Sequence, residues 1–326
     1  MSERPIVVIQ GAASAAQVPG IIAIESEAEL RFAASAPALA EALPGADVLL
    51  GWDFSEAGLS EAWPRADALR WIHWTGAGVD AVLFQELVES DVVLTNSRGI
   101  FDRAMAEFVL GLILSFAKSF PKMTRDQDQR HWSHRLSEMI IGRRVLVVGV
   151  GSIGREIARL LSSAGLHVEG VGRRARAEDD DFAAIHAREN LHTVLPDADY
   201  VVIVVPLTDE TRGMFGASQL GAMKPTARLI NVARGAILDE PALVEALKAG
   251  QLAGAALDVT AIEPLPQDSP LWAMPDVIIS PHMSGDFHGH YEILASTFIE
   301  NFRRYRAGGP LSNVVDKVSG FVPGGN

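Results

Sequence analysis

The sequence predicts an α/β fold with two lobes built on parallel sheets, and three observations support this prediction. Short apolar runs alternate with helical patterns along most of the chain, which is the pattern of strand–helix–strand units. The 326 residues suffice for two domains at roughly 150 residues each. A hydrophobic fraction of 48% and a charged fraction of 21% are those of a globular protein, so widespread disorder, collagen and coiled coil are excluded.

The first series of strands occupies the N-terminal third of the chain. Apolar runs predict strands over 6–9, 47–51, 69–74 and 92–95, and an Ala-rich segment predicts a helix over 33–43. Apolar residues at helical spacing then predict one long helix over 101–120, which leads out of this series.

A second series follows in the middle of the chain. Its predicted strands are 145–148, 167–171, 200–205, 228–232, 255–259 and 277–280, with helices over 153–164, 211–222 and 241–249. A final helix over 286–306 would return the chain to the first lobe, which the tail 311–326 completes. We therefore expect residues 99–285 to form a lobe inserted into a lobe made of 1–98 and 286–326. A ligand would lie in the cleft between two such lobes.

The charge balance and the absence of cysteine limit the classes of partner. Lys and Arg number 28 and Asp and Glu number 41, so the net charge is −13. A chain this acidic is poorly suited to a polyphosphate backbone, and nucleic acid is therefore not expected as a partner. The lack of cysteine excludes a disulfide framework, a cysteine–zinc site and a cysteine nucleophile, and no metal site is predicted.

No membrane segment is predicted. The longest apolar stretch, 108–117, is about ten residues long, whereas a membrane-spanning helix needs ~20. No basic segment followed by an apolar one precedes the first strand, so we expect no secretion signal. We expect a cytoplasmic protein without a membrane partner.

Three glycines at the end of strand 145–148 predict a phosphate cradle. Gly149, Gly151 and Gly154 form a G-x-G-x-x-G pattern that follows an apolar strand and opens a helix rich in Ala, Leu and Ile. The first glycine permits a tight turn, the second lets the backbone approach a pyrophosphate, and the third lets the helix pack on the strand. The pattern predicts a Rossmann-type lobe that binds a dinucleotide, although a glycine-rich turn without a ligand is the alternative.

The next predicted strand indicates which dinucleotide binds. A dinucleotide site for NAD has an acidic residue about twenty residues beyond the glycines, where it accepts hydrogen bonds from the ribose. This chain has Gly172 there, followed by Arg173 and Arg174, which favours NADP(H) over NAD(H) because arginine binds a 2′-phosphate with two donors. Glu169 does not supply this carboxylate, because it points to the opposite face of the strand from Gly172. Alternatively, the arginines only balance the acidic residues 178–181 on the surface.

Three charged residues follow the ends of predicted strands. Arg234, Glu263 and His282 lie where open α/β sheets place their ligands. Each alone is unremarkable, but together, and downstream of a dinucleotide motif, they suggest hydride-transfer chemistry.

At these residues the chain resembles the D-isomer-specific 2-hydroxyacid dehydrogenases, over nearly its whole length. The resemblance implies two Rossmann or flavodoxin-like lobes with the active site between them, and usually a homodimer joined through the nucleotide lobes. The segments that carry it are 75–80, 149–154, 205–208, 231–235, 257–259, 263–264 and 281–282.

The resemblance also implies a mechanism. Arg234 would bind the carboxylate and carbonyl oxygen of a small 2-keto acid, and backbone N–H groups at Ala77 and Gly78 would hold the other carboxylate oxygen. His282 would protonate the developing alkoxide as general acid, and Glu263 would orient the imidazole and favour its protonated form. Further residues that would line the cofactor are Ser152, Ile153, Val205, Pro206, Val232, Ala233, Asp258, Ser284 and Gly285.

The chain departs from its relatives near the expected substrate pocket. Arg98 replaces a proline that many relatives have before Gly99, and Trp74 precedes the substrate loop. Five residues are candidates for shaping this pocket: Trp52, His73, Trp74, Arg98 and Met105.

The sequence is compatible with three functions. The first is an NADP(H)-preferring reductase of glyoxylate, hydroxypyruvate, phenylpyruvate or a similar acid. The second is an NAD-linked enzyme that makes D-lactate or oxidises 3-phosphoglycerate. The third is a nucleotide-sensing protein without catalysis, resembling the corepressor branch of the family, which would have no need of Arg234, Glu263 and His282 together.

Overall fold

The computed structural model describes residues 4–53, 58–177 and 179–323, and these form two compact units. Unit 1 consists of the described residues within Met1–Ile100 and Phe287–Asn326, and unit 2 is formed by those within Phe101–Asp286. Both contain a parallel sheet, which confirms the predicted α/β class. The substrate and cofactor roles predicted for the two lobes stay predictions.

Unit 1 contains a five-stranded sheet in the order β2-β1-β3-β4-β5. Every neighbouring pair in it is parallel. The strands are β1 (Ile6–Gln10), β2 (Glu29–Ala33), β3 (Val48–Gly51), β4 (Trp71–Trp74) and β5 (Val93–Asn96), and the helices are α1 (Ala36–Ala42), α2 (Leu59–Ala62) and α3 (Gln85–Glu89), with 3-10 turns at Ala15–Gln17, Ile21–Ile24 and Trp63–Arg65.

Strand β2 was not predicted, and it shortens the helix expected over 33–43. Ala33 pairs with Gln10 at the end of β1, and the helix begins only after Ser35, whose side chain caps Ala38 N–H. Strand β2 lies at the edge of the sheet and most of its residues are partly exposed. An edge strand needs no continuous apolar run, so its sequence carries a weak signal.

Unit 2 contains a seven-stranded sheet in the order β12-β11-β10-β9-β6-β7-β8, also parallel throughout. Its strands are β6 (Arg144–Val148), β7 (His167–Gly172), β8 (Ile185–Ala187), β9 (Tyr200–Ile203), β10 (Arg228–Asn231), β11 (Gly254–Leu257) and β12 (Val277–Ile279). Its helices are α4 (Asp102–Ala117), α5 (Phe120–Asp128), α6 (Ser152–Ser163), α7 (Leu191–Val194), α8 (Ala217–Ala222) and α9 (Glu240–Lys248), with 3-10 turns at Arg188–Asn190, Leu195–Asp197, Gly235–Ile237 and Pro270–Ala273. The last helix of the chain, α10 (His290–Arg306), belongs to unit 1.

Three further helix predictions were too long. The helix expected over 101–120 ends at Ala117, because Ser119 has a left-handed backbone (φ 57°) and α5 starts a new direction. The helix expected over 211–222 begins at Ala217, since the Thr211 hydroxyl closes a turn by accepting from Thr208 N–H. The helix expected over 286–306 begins at His290, after Gly289 at φ 92°.

Each unit has its own apolar core. In unit 1 the core includes Leu49, Ile72 and Trp74, and in unit 2 it includes Leu146, Val201 and Leu229. Within the residues that the structure describes, no single helix is long and apolar enough to cross a membrane. The bent pair α4 and α5, at 62° to each other, passes that test jointly on length and composition alone.

Candidate active site

Three neighbouring strands of unit 2 place the predicted catalytic residues at one edge of the sheet. Arg234 follows β10, Glu263 follows β11 and His282 follows β12, and these strands lie side by side. Because the strands are parallel, their carboxyl ends meet at the same edge, where ligands bind in open α/β sheets.

Glu263 and His282 form a direct pair. His282 Nδ1 lies 2.8 Å from Glu263 Oε2, and Thr260 N–H donates to Glu263 Oε1 at 3.1 Å. Partial burial alone would raise the pKa of the Glu263 carboxyl. The hydrogen bonds from His282 and Thr260 and the charge of Arg234 outweigh it, so the pKa lies below its ordinary value. Glu263 is therefore ionised at neutral pH and fixes the orientation of the imidazole.

The loop that carries His282 is held by Asp258, which is buried at the end of β11. One carboxylate oxygen of Asp258 accepts from Ser280 Oγ at 2.7 Å and from Met283 N–H at 3.0 Å, and the other accepts from Ser284 N–H at 2.9 Å. Its carbonyl oxygen accepts from His282 N–H at 2.8 Å. These bonds hold His282 in a left-handed backbone conformation (φ 52°) that side-chain-bearing residues rarely adopt.

This role of Asp258 was not predicted from the sequence. The predicted cofactor contact of Asp258, Ser284 and Gly285 stays a prediction, although all three lie in or against the loop of His282. The available signal was Ser280, two residues before His282, whose hydroxyl donates to Asp258 in the structure.

Arg234 is placed by Asn231, a buried residue that sequence reasoning also missed. Asn231 Oδ1 accepts from Ala233 N–H, and its Nδ2 donates to the Arg234 carbonyl, both at 3.1 Å. A Cβ at Gly235 would overlap with the Thr260 carbonyl, so the loop after β10 lies directly against the loop after β11. The guanidinium of Arg234 lies close enough to contribute to the lowered pKa of the Glu263 carboxyl.

The predicted phosphate cradle is a tight glycine turn with open space at its middle glycine. Gly149 has φ 120°, and a Cβ there would lie 2.6 Å from the Val204 carbonyl oxygen. A Cβ at Gly154 would overlap with the Gly149 carbonyl, which explains close packing of α6 on β6. Nothing lies within 4 Å of the Cβ position of Gly151, at the N-terminus of α6. Ser152 and Ile153 begin that helix, whose unpaired amides suit an anion, so these residues fit a dinucleotide.

A side chain at the end of β7, where an NAD site has its acidic residue, would displace Val150. A Cβ at Gly172 would lie 2.8 Å from Val150 Cγ2, and one at Gly170 would lie 2.7 Å from Val150 Cγ1. Glu169 points to the opposite face of β7, and there it binds Arg144 and His186, each at 2.7 Å. Arg173 and Arg174 follow Gly172 and are exposed.

The remaining predicted cofactor residues follow β9 and β10, the next two strands of the sheet on one side of β6. Val205 and Pro206 come after β9, and Val232 and Ala233 come after β10 and are buried. The structure brings them to the same sheet edge as the cradle, and their cofactor contact stays a prediction.

The predicted substrate residues lie in unit 1. Ala77 and Gly78 are in the loop after β4, and Asn96 Nδ2 donates to the Ala77 carbonyl at 2.6 Å. Arg98 Nη1 donates to the Val322 carbonyl at 3.3 Å, so this side chain is engaged by the C-terminal tail of its own unit. The substrate role of these residues stays a prediction.

Three of the candidate pocket residues are packing residues. His73 is fully buried and bonds Thr95 Oγ1 at 2.9 Å, and burial lowers the pKa of its imidazole to about 3. Trp74 is 2% exposed and its ring fills the space beside Gly51, and Met105 is buried on α4. Their burial supports a packing role, and the suggestion that these three shape the substrate pocket stays a prediction. Trp52 does line a cavity, of about 630 Å³, within unit 1.

A family model matches the part of the chain that forms most of unit 2. The model described as D-isomer specific 2-hydroxyacid dehydrogenase, NAD binding domain, covers residues 110–284, which include the cradle and all three charged residues. Those residues account for more than half of the 326 in the chain.

Similar proteins share both the sequence and the fold. A glyoxylate reductase of Korarchaeum cryptofilum is 31% identical over 79% of this chain and 79% of its own. A D-isomer specific 2-hydroxyacid dehydrogenase of Xanthobacter autotrophicus, solved with NADPH and MES, is 31% identical with a TM-score of 0.82 over 98% of this chain and all of that one. An NADPH-dependent glyoxylate/hydroxypyruvate reductase of Sinorhizobium meliloti, solved with NADP and sulfate, is 27% identical with a TM-score of 0.85 over 97% and 100% of the two chains.

Proposed function

Since this chain belongs to the D-isomer specific 2-hydroxyacid dehydrogenase family and is an NAD(P)-dependent oxidoreductase, we propose that it reduces a small 2-keto acid to the D-2-hydroxy acid. Glyoxylate and hydroxypyruvate are the first candidates, because similar proteins carry those names. The observation that carries the proposal is the bonded pair of His282 and Glu263 beside Arg234. A carboxylate, an imidazole and a guanidinium in this arrangement suit proton transfer to a carbonyl next to a carboxylate.

Each of the three residues has a separate role in the proposed reaction. Arg234 binds the substrate carboxylate and carbonyl oxygen with its planar guanidinium, which polarises the carbonyl. Bound nicotinamide supplies the hydride. His282 donates a proton to the oxygen that becomes the alcohol, and we assign the transfer to Nε2 because Nδ1 is bonded to Glu263. Glu263 stabilises the charged imidazole before transfer and keeps it oriented.

We further propose that the enzyme prefers NADP(H), with NAD(H) as the weaker cofactor. Gly172 provides no carboxylate to bind a ribose 2′-hydroxyl or to repel a 2′-phosphate, and two exposed arginines follow it. Relatives from Xanthobacter and Sinorhizobium were solved with NADPH or NADP, in keeping with this preference.

The substrate is proposed to be small and without a phosphate. An NAD-linked D-lactate or 3-phosphoglycerate dehydrogenase is the second candidate, but a phosphorylated substrate needs additional cations. Arg98, the one addition singled out from the sequence, bonds a backbone carbonyl. A sensor without catalysis would need no imidazole bonded to a carboxylate, which disfavours that third candidate.

A homodimer is proposed from an exposed apolar segment that precedes β6. Within it Trp132 is 97% exposed and Leu136 is 91% exposed, and Met139 and Ile141 are also largely in contact with solvent. A contiguous set of large apolar side chains at a surface marks an interface in a soluble protein. The cytoplasmic location expected from the sequence stays a prediction.

Steady-state kinetics of the purified protein test the proposal. Glyoxylate and hydroxypyruvate should each be reduced with NADPH, with a higher kcat/KM than with NADH. The control is the Arg234→Met variant, which retains the cofactor cradle and should lose activity with both acids. An inactive wild-type protein that binds NADPH would support the sensor instead.

A further inference from the structure

An ion-pair network attaches the loop between β7 and β8 to helix α6. Arg155, in the first turn of α6, donates to both carboxylate oxygens of Asp179, at 2.7 and 3.0 Å, and to Asp181 at 2.8 Å. Arg159, one turn later, donates to both oxygens of Asp181, at 2.6 and 3.2 Å. Pairs with two parallel hydrogen bonds define orientation as well as distance, so the acidic part of the loop has a fixed position on α6.

The network is largely shielded from solvent. The side chains of Arg155, Asp179 and Asp181 expose 16%, 7% and 10% of their surfaces. Phe182, the next residue in the chain, is buried. The centre of its ring lies 5.8 Å from the guanidinium carbon of Arg155. Shielded pairs are screened less by salt than exposed ones, so this attachment persists at physiological ionic strength.

The other part of the loop is also held in place. It starts at Gly172, which lies against Val150 of the glycine turn. Arg176 then exchanges two backbone hydrogen bonds with Ile185, at 2.8 and 2.9 Å. Residues 173–175 therefore form an exposed tip between two fixed points, and this tip carries Arg173 and Arg174.

We propose that Arg155, through Asp179 and Asp181, is a positioning residue for cofactor choice, holding Arg173 and Arg174 at a fixed distance from the phosphate cradle. The inference rests on the proposed preference for NADP(H). Helix α6 presents its N-terminus to the pyrophosphate and carries Arg155, so the same helix links the two phosphate subsites. The network engages two carboxylates of the loop, those of Asp179 and Asp181.

Binding of two nucleotide fragments to the full-length protein tests this role without catalysis. Adenosine 2′,5′-bisphosphate contains the 2′-phosphate and 5′-AMP lacks it, and calorimetry gives the affinity of each. The variants Arg155→Met and Asp179→Asn should each bind the bisphosphate about tenfold more weakly, which corresponds to about one charge-assisted hydrogen bond, and 5′-AMP within about twofold of wild type. The matched control is Arg144→Met, which breaks an ion pair with Glu169 on the opposite face of β7 and should change neither affinity.

The outcomes separate this inference from the proposed cofactor preference. If wild-type protein binds both fragments equally, the NADP(H) preference fails and the inference fails with it. If replacing Arg173 and Arg174 by Ala removes the discrimination but folded Arg155→Met and Asp179→Asn proteins retain it, the positioning role alone is wrong. If Arg155→Met binds the bisphosphate more weakly but Asp179→Asn does not, the cause would be repulsion by the freed carboxylate. That result would also overturn the positioning role. Should Arg155→Met fail to fold, the nearly isosteric Asp179→Asn decides.

Discussion

Val150 occupies the space that a side chain at Gly172 would need. Its Cγ2 atom lies 2.8 Å from the Cβ position of Gly172, closer than real Cβ atoms tolerate. The glycine turn and the end of β7 are thus matched in shape. An acidic residue at 172 would require Val150 to move.

Introducing an acid at 172 should therefore not convert the enzyme to NADH by itself. We expect Gly172→Asp to raise the KM for NADPH and to destabilise the fold by roughly 1–3 kcal/mol, because Val150 must move. The double variant with Val150→Ala should recover stability and lower the KM for NADH. Kinetics with both cofactors and thermal melting measure this, and equal stability of the single variant and wild type would contradict the packing argument.

His282 should control the pH dependence of turnover. Reduction needs the protonated imidazole, so activity should fall as pH rises, whereas oxidation needs the neutral form and should show the opposite slope. His282→Ala should lower kcat by ~100-fold or more, the usual contribution of a general acid. Initial rates of reduction and oxidation across pH measure this, with cofactor affinity and melting temperature as controls. An unchanged kcat in His282→Ala would mean that His282 has only a structural role.

Glu263→Gln should retain partial activity. It keeps a hydrogen-bond acceptor for His282 but removes the negative charge that stabilises the charged imidazole. The reductive pH limb should shift to lower pH relative to wild type. An unshifted limb at reduced kcat would mean that Glu263 only orients the ring.

Asp258 should matter for turnover through the loop that carries His282. In Asp258→Asn one carboxylate oxygen becomes an amide nitrogen, which faces Met283 N–H or Ser284 N–H and can accept from neither. Buried donors then face each other, which costs roughly 1–3 kcal/mol. We expect a lower melting temperature and a lower kcat. Ser280→Ala removes only one of the three bonds to this carboxylate and should have the smaller effect on both; a larger effect of Ser280→Ala would refute the ranking.

The ion pair of Asp179 with Arg155 should stabilise the fold at neutral pH, and this stabilisation should be lost in acid. The Arg155 guanidinium lowers the pKa of Asp179 to about 2, against partial burial, which acts in the opposite direction. A pKa lower in the folded than in the unfolded state gives stability that is present above about pH 4 and lost as pH falls towards 2. The free energy of unfolding should thus differ between wild type and Asp179→Asn by roughly 1–2 kcal/mol at pH 6, and the difference should shrink at pH 3. Urea titrations at both pH values measure it, and a constant difference would argue against the ion pair as its source.

The exposed apolar segment before β6 should be the dimer contact. Replacing Trp132 and Leu136 by Ser removes two large apolar side chains that contribute little to packing within the protomer, since both are over 90% exposed. Sedimentation should show a dimer for wild type and a shift towards a 35 kDa monomer for the variant. Ile22→Ser, at an exposed apolar site in unit 1, is the control and should not alter the mass. A monomeric wild type at micromolar concentration would refute the proposal.

The sequence alone determined what depends on neighbours along the chain. Strand–helix alternation, the glycine turn at Gly149 and the order of Arg234, Glu263 and His282 are local patterns, because strand pleat, tight turns and strand ends each involve a few consecutive residues. These patterns were enough for the α/β class and the family. They failed where local signals are weak, as at the edge strands β2 and β8 and at the break after Ala117.

Only the tertiary structure decided which distant residues meet. His282 and Glu263 are 19 residues apart, Asp258 and Ser284 are 26 apart, and Arg155 and Asp179 are 24 apart. Such contacts depend on strand order and on the path of each loop across the sheet edge, which no pattern within one segment specifies. The parallel order β12-β11-β10 brings His282, Glu263 and Arg234 to one edge. The buried carboxylate of Asp258 then fixes the loop of His282, because a buried charge is stable only where donors converge on it.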